Sequence, residues 1–456
     1  EAEKLYLEAI NLEPNFAEAF SNLGNIYKEK GNYDKALNSH SQAVLLNPTS
    51  PECYFNLGNT FKMLGYLDKA LDSYDKAIDL NSNKPEFYYA LANTFTILER
   101  YNDAFNIYLE AIKLFPSDIK NYIYMSEFLA NFNPKDLSKK HLIYILEVLL
   151  NRTDIRHQDL FNSFNSLLSP RLEIDSNLNF SKSTYSFILT NKLVHLSMSK
   201  LIFSDFLWEK IFTEIRLMSL NLIYLQSPDT KNISLGFLLS LSEQCFLNEY
   251  LYYKSPNEIK IINEIISNFS KYTDIDKTIL ILSCYLPLHE LSKRSPIRGI
   301  IPNLNKLLNP IIKSQLIDVK AEEKIKAKII KIGDISNSIS TKVMSQYEEN
   351  PYPRWKNSYL YSDQDTLISD VINNEIYPNK IKSPNNNIHN KVLIAGCGTG
   401  NQILQARRYK NSDIIGIDLS LSSLSYTQRK LSELNISNVE LFQMDILNLN
   451  LIKKKF

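Results

Sequence analysis

From its first residues to about residue 118 the chain repeats itself every 34 residues, and that period constrains its fold more than any other feature. Leu23, Leu57 and Leu91 recur at this interval, as do Ala36, Ala70 and Ala104, then Ala43, Ala77 and Ala111. Ring-bearing positions follow the same beat: Tyr27, Phe61 and Phe95, and again His40, Tyr74 and Tyr108. A unit of this length is one helical hairpin, too small to bury its apolar face alone, so successive units must stack. Small residues at fixed places let the two helices of a hairpin approach, and the aromatics fill the gap between hairpins.

The period resembles the tetratricopeptide repeat. Full repeats read as 17–50, 51–84 and 85–118; residues 1–16 read as the second half of an earlier repeat, with Ala2, Tyr6, Ala9 and Pro14 in phase, and a degenerate repeat starts at 119 with Tyr122 and Met125. Residues 1–130 are therefore expected to form an α-solenoid. One first-helix position reads Asn25, Asn59 and Asn93, with Asn22 and Asn56 three residues before the first two. An amide both donates and accepts, so such a ladder can bond the backbone of an extended peptide. It resembles the asparagine ladders of repeat domains attached to protein-modifying glycosyltransferases; equally, asparagine is a common solvent-facing choice in this repeat.

Between 131 and 345 the period is lost while helical patterning continues through Leu142 to Leu150, Phe206 to Leu222, Leu235 to Tyr253, Ile259 to Phe269 and Thr278 to Leu286. Pro170, Ser227-Pro228 and Ser255-Pro256 break the pattern, giving an all-helical linker domain. The strings Gln244 to Tyr250 and Cys284 to His289 hold the only cysteine and histidine near each other in sequence, and core packing explains their aromatics better than a nucleophile with its base does. The remaining histidines are isolated, so no metal site is expected.

Residues 346–390 read as a proline- and aromatic-rich strap followed by a polar linker. Gln346-Tyr-Glu-Glu-Asn-Pro-Tyr-Pro-Arg-Trp355 displays one of only two tryptophans on a backbone that its prolines keep extended. The string resembles a segment that precedes the methyltransferase domain in bacterial proteins joining tetratricopeptide repeats to such a domain. Two uses are open: a rigid strap packing Trp355 onto the last domain, or a lid in which Tyr352 and Trp355 stack on a cation and Arg354 holds a carboxylate.

The last segment, 391–456, opens with Lys391-Val-Leu-Ile-Ala-Gly-Cys-Gly-Thr-Gly400, an apolar strand running into a glycine turn and then a helix. A second strand ends at Asp418, about 20 residues after the first glycine, where such folds offer an acid to a ribose. A third, Val439 to Met444, is followed by Asp445-Ile446, so the order is β-α-β-α-β in a parallel, Rossmann-like sheet. These three motifs resemble the class I S-adenosylmethionine-dependent methyltransferases. The resemblance implies that Gly396, Cys397, Gly398 and Gly400 surround the methionine half of S-adenosyl-L-methionine, that Asp418 with Leu419 takes the ribose, and that Met444, Asp445 and Ile446 take the adenine. Ala395 departs from it, because the family often has an acid there.

Both ends read as cut, with the last domain broken off before its fourth strand, so no catalytic residue is named and the chain as it stands is expected to be a weak or inactive catalyst. The reading is a methyltransferase whose repeats recruit a protein or peptide; the alternative is a tetratricopeptide scaffold beside an inactive domain. Lys+Arg (51) balance Asp+Glu (50), a formal charge of +1, so bulk electrostatics indicate no nucleic-acid or membrane surface. The four cysteines are scattered and no apolar run is long enough to span a bilayer, which suggests a reducing, cytoplasmic setting.

Overall fold

The computed structural model describes residues 2–132, 137–177, 179–295, 297–349, 354–358, 367–375 and 389–452. Two compact units divide the chain, 1–149 and 150–456.

In the first unit a single helix, α1 (Ala2–Leu12), precedes three helical hairpins. They are α2 (Ala17–Glu29) with α3 (Tyr33–Leu46), α4 (Pro51–Met63) with α5 (Leu67–Leu80), and α6 (Pro85–Ile97) with α7 (Tyr101–Leu114). Then come α8 (Ile119–Asn131) and α9 (Lys139–Leu150). The periodic alanines explain the close approach: all six, from Ala36 to Ala111, are fully buried. Gly24 and Gly58 complete the contact. A methyl group on Gly24 would stand 2.4 Å from the His40 ring, and one on Gly58 would stand 2.7 Å from the Tyr74 ring. Each hairpin turns on a left-handed residue, Gly31, Gly65 and Glu99 in successive repeats, so the third repeat makes with a glutamate the turn that the others make with glycine.

The second unit begins as helices. The longer ones are α10 (Phe206–Tyr224), α11 (Leu235–Leu247), α12 (Pro256–Ser267) and α13 (Ile275–Ser283). Trp208 anchors their core among Phe164, Phe203 and Phe212. Ser255 and Glu258 form a reciprocal capping box at the start of α12, with Pro256 in its first turn. α11 stops at Leu247, short of the helix expected to Tyr253, because Glu249 and Tyr250 adopt positive φ. The second of the two aromatic strings reaches the fully buried Arg216, which lies 4.2 Å from the Tyr285 ring centroid, donates to the Tyr253 carbonyl and stands 3.5 Å from Glu258.

Beyond α14 (Asp318–Lys326) the chain enters a parallel sheet. Its strands are β1 (Ile330–Lys331), β2 (Asn390–Ala395), β3 (Ser412–Asp418) and β4 (Val439–Gln443), in the spatial order β1-β4-β3-β2. The segment read as all-helical to 345 therefore contains a strand. β1 has two exposed residues and pairs with Phe442 and Gln443, while the flanking Ile329 and Ile332 pack against two different core clusters. α15 (Ser338–Glu349) is a second difference, since it carries the helix through Gln346 to Glu349, a stretch read as extended strap. α16 (Asn401–Ala406) and α17 (Leu421–Glu433) complete β2-α16-β3-α17-β4. Tyr352, Pro351, Pro353, residues 377–388 of the polar linker and Lys453 to Phe456 lie outside the described residues, and Asn390, read as the linker's last residue, is already in β2.

Candidate functional site

The carboxyl ends of β2, β3 and β4 meet around a cavity of about 400 Å³, within the usual range for a small-molecule site. Its wall is made by Ala395, Gly396 and Gly398 after β2, by Ile417, Asp418 and Leu419 at the end of β3, and by Met444 and Ile446 after β4. Ser423 of α17 and Val343 and Tyr347 of α15 close it.

The glycine turn fits its place through backbone geometry. Gly396, Gly398 and Gly400 all have positive φ, where a Cβ is disfavoured. A methyl group built on Gly396 or Gly398 would meet nothing within 4 Å, so bare backbone faces open space there. Gly400 serves packing instead, since a Cβ on it would come within 2.6 Å of Thr427 Cγ2.

Asp418 is held by its own neighbourhood. One oxygen accepts from the Gly398 N–H at 2.8 Å and the other from the Ser420 N–H at 2.9 Å. Burial raises its pKa, and those N–H bonds oppose the rise without cancelling it. Each oxygen keeps a second lone pair for a hydroxyl donor. Glu348 sits behind it, accepting from the Ser422 N–H at 2.9 Å and pairing with Lys326 at 2.7 Å. Burial works to raise the Glu348 pKa, but Lys326 and the N–H at the start of α17 hold it below the ordinary value.

Six of the nine residues expected around a cofactor line the cavity: Gly396, Gly398, Asp418, Leu419, Met444 and Ile446. Cys397 turns into the core beside Gly416, and burial pushes its thiol pKa well up. Asp445 is buried and accepts from the Leu447 N–H, capping the short helix after β4. Val343 and Tyr347 were missed; their four-residue spacing on one helix was the available signal. Arg354 and Trp355 are not among the lining residues.

On the repeats, the Oδ1 atoms of Asn59 and Asn93 accept from Tyr74 and Tyr108 hydroxyls at 2.8 and 2.9 Å. Asn25 Oδ1 accepts from Lys28, Asn56 Nδ2 donates to Ser21 Oγ at 3.0 Å, and Asn22 is exposed. No cluster of metal-ligating side chains and no helix long and apolar enough to cross a membrane occurs among the described residues.

Family comparisons match two separate parts of the chain. Models described as TPR repeat match residues 24–65 and 58–96, and models described as tetratricopeptide repeat match 5–38 and 85–118. A model described as methyltransferase domain matches 392–456. An uncharacterized protein of Rickettsia prowazekii (strain Madrid E) is 30% identical over 111 residues, 24% of this chain. The chain spans 41% of that relative's length. Among solved structures, MamA is 23% identical, covering 37% of this chain and 85% of its own at a TM-score of 0.27. YrrB, titled a TPR protein with an unusual peptide-binding site, is 18% identical, covering 41% and 95% at a TM-score of 0.31. The chain thus joins tetratricopeptide repeats to a methyltransferase-like domain, whose family match begins within β2.

Proposed function

We propose that the protein is an S-adenosylmethionine-dependent methyltransferase whose repeats bring a protein or peptide to it. The observation that carries this reading is the cavity at the strand ends, where the open backbone of Gly396 and Gly398 and the Asp418 carboxylate, bonded to the Gly398 N–H, line one small-molecule volume. The sulfonium group, when bound, supplies a methyl group activated for transfer. The chain's own part is to accept ribose hydroxyls at Asp418, to leave room at the glycines for the methionine half, and to flank the base with Met444 and Ile446. Leu419, Tyr347 and Val343 add apolar cover that excludes water. Cys397, Gly400 and Asp445 act indirectly, by shaping the two turns. On the repeats, the hydroxyls of Tyr74 and Tyr108 occupy the carbonyl oxygens of Asn59 and Asn93, leaving their N–H groups to donate to peptide carbonyls.

Calorimetric titration of S-adenosylhomocysteine into this chain tests the reading, beside an Asp418→Ala variant. Binding that weakens at least about tenfold on loss of the carboxylate supports it. A folded chain that takes up no S-adenosylhomocysteine refutes the cofactor and leaves the repeats as the working part of a scaffold.

A further inference from the structure

Three consecutive residues, Arg354, Trp355 and Lys356, make contacts with three different parts of the second unit. Arg354 donates to Glu249, stands 3.5 Å from Glu322 of α14 and lies 4.9 Å from the Phe246 ring centroid. Lys356 pairs with Glu243 of α11 at 2.7 Å, and its carbonyl accepts from Lys430 of α17, also at 2.7 Å. Trp355 bonds elsewhere: its Nε1–H donates to the Thr399 carbonyl at 2.7 Å, within the glycine turn. Its ring meets Tyr426 edge-on at 5.9 Å, and the Tyr426 hydroxyl donates to the Trp355 carbonyl. The indole is almost wholly buried.

The turn needs such support. Thr399 lies between two glycines with positive φ, and glycine resists rotation least of all residues. Thr427 Oγ1 donates to the Gly398 carbonyl at 3.0 Å and Trp355 holds the next carbonyl, while Asp418 takes the Gly398 N–H. Two of these three holds come from within the methyltransferase-like segment. The third comes from residue 355, whose neighbours are tied to carboxylates of the helical region.

We infer that Trp355 is a positioning residue for the cofactor turn and that Glu243 and Glu249, by holding Lys356 and Arg354, let the helical region regulate cofactor affinity. The affinity part rests on the function proposed above; the positioning part does not. Trp355→Phe keeps an aromatic ring against Tyr426 and removes only the indole and its N–H donor. Losing one buried hydrogen bond predicts cofactor affinity about tenfold weaker.

The experiment uses the whole chain and three readouts. Hydrogen exchange at residues 396–400 is followed without ligand, S-adenosylhomocysteine affinity by calorimetry, and thermal midpoint by circular dichroism. Faster exchange in the turn and weaker binding are expected from Trp355→Phe and, in the same direction, from the Glu243→Gln and Glu249→Gln double variant. The chain has only two tryptophans, and Trp208 donates to Asn165, so the indole N–H spectrum reports Trp355 separately. In the double variant its signal shifts while that of Trp208 stays. Unchanged exchange at 396–400 in both variants overturns the positioning role, whether or not ligand binds. Faster exchange with unchanged affinity overturns the regulation. A wild-type chain that binds no S-adenosylhomocysteine also overturns the regulation and refutes the cofactor reading, while the exchange result alone still decides positioning. If Trp355→Phe fails to fold, the double variant decides both points.

Discussion

His40 offers a test of how the repeats hold together, because it stands where the next two repeats place Tyr74 and Tyr108. Its ring is fully buried against Gly24, with Nδ1 2.8 Å from Thr60 Oγ1 and Nε2 3.2 Å from the Ser21 carbonyl. A carbonyl only accepts, so Nε2 carries the proton and Nδ1 accepts from the Thr60 hydroxyl. Burial, with Lys28 nearby, lowers the ring's pKa from 6.5 to about 4. The folded value lies below the unfolded one, so the unfolded chain takes up the proton first. The stabilisation is whole above the unfolded value of 6.5 and is lost as pH falls toward 4. That span, at about 1.4 kcal/mol per unit, amounts to about 3 kcal/mol. His40→Tyr removes the titration and gives the repeat the residue of its neighbours, with Asn25 in reach as Asn59 is for Tyr74. Native-state hydrogen exchange of α2 to α5 in the whole chain, corrected for intrinsic rates, measures the opening energy across this pH range. The wild type is expected to lose about 3 kcal/mol more than His40→Tyr. Opening energies that fall in parallel in the two proteins refute the reasoning.

Glu99→Gly should stabilise the third hairpin by about 1 kcal/mol, since it relieves a left-handed backbone that Gly31 and Gly65 adopt freely; exchange protection in α6 and α7 measures it. Tyr74→Phe should cost about 1 kcal/mol by freeing Asn59, and a double-mutant cycle with Asn59→Ala isolates the bond. Gly400→Ala should destabilise the second unit by about 2 kcal/mol or more, through its positive φ and the approach to Thr427 Cγ2. Thr427→Ser, which deletes that methyl and keeps the hydroxyl bonded to Gly398, should restore part of the loss in thermal denaturation.

The repeats were legible because each uses the same few contacts, and a contact made three times leaves a period. Ala36 and Ala70 announce close helix approach before any coordinates exist. The strand-turn-helix at 391–406 was legible for a different reason: glycines at positive φ have no substitutes. What stayed hidden depends on distant partners. A motif says which backbone passes a ligand, not which side chain turns away from it, so Cys397 and Asp445 were grouped with the lining residues while Tyr347 was left in a strap. β1 was hard to see because only two residues pair, too few to display a period, although Ile329, Ile330 and Ile332 cluster there. The contacts of Arg354 with Glu249 and of Trp355 with Thr399 join residues whose separations carry no local signal. For 354–356 the strap and lid readings were both open on sequence alone, and no local pattern pointed to Glu249 or Thr399 as the partners of Arg354 and Trp355.

The pairing of β1 with β4 has a consequence for the order in which the protein forms. Ile330 finds its partner Phe442 more than a hundred residues later, so that edge of the sheet cannot close while the intervening chain is still being made. Each hairpin of the repeats, by contrast, completes its contacts within its own span and with the hairpin next to it. Local contacts form fast and distant ones slowly. On a ribosome, with synthesis running at about 5–20 residues per second, the repeats have their own contacts in place many seconds before β4 can pair with β1.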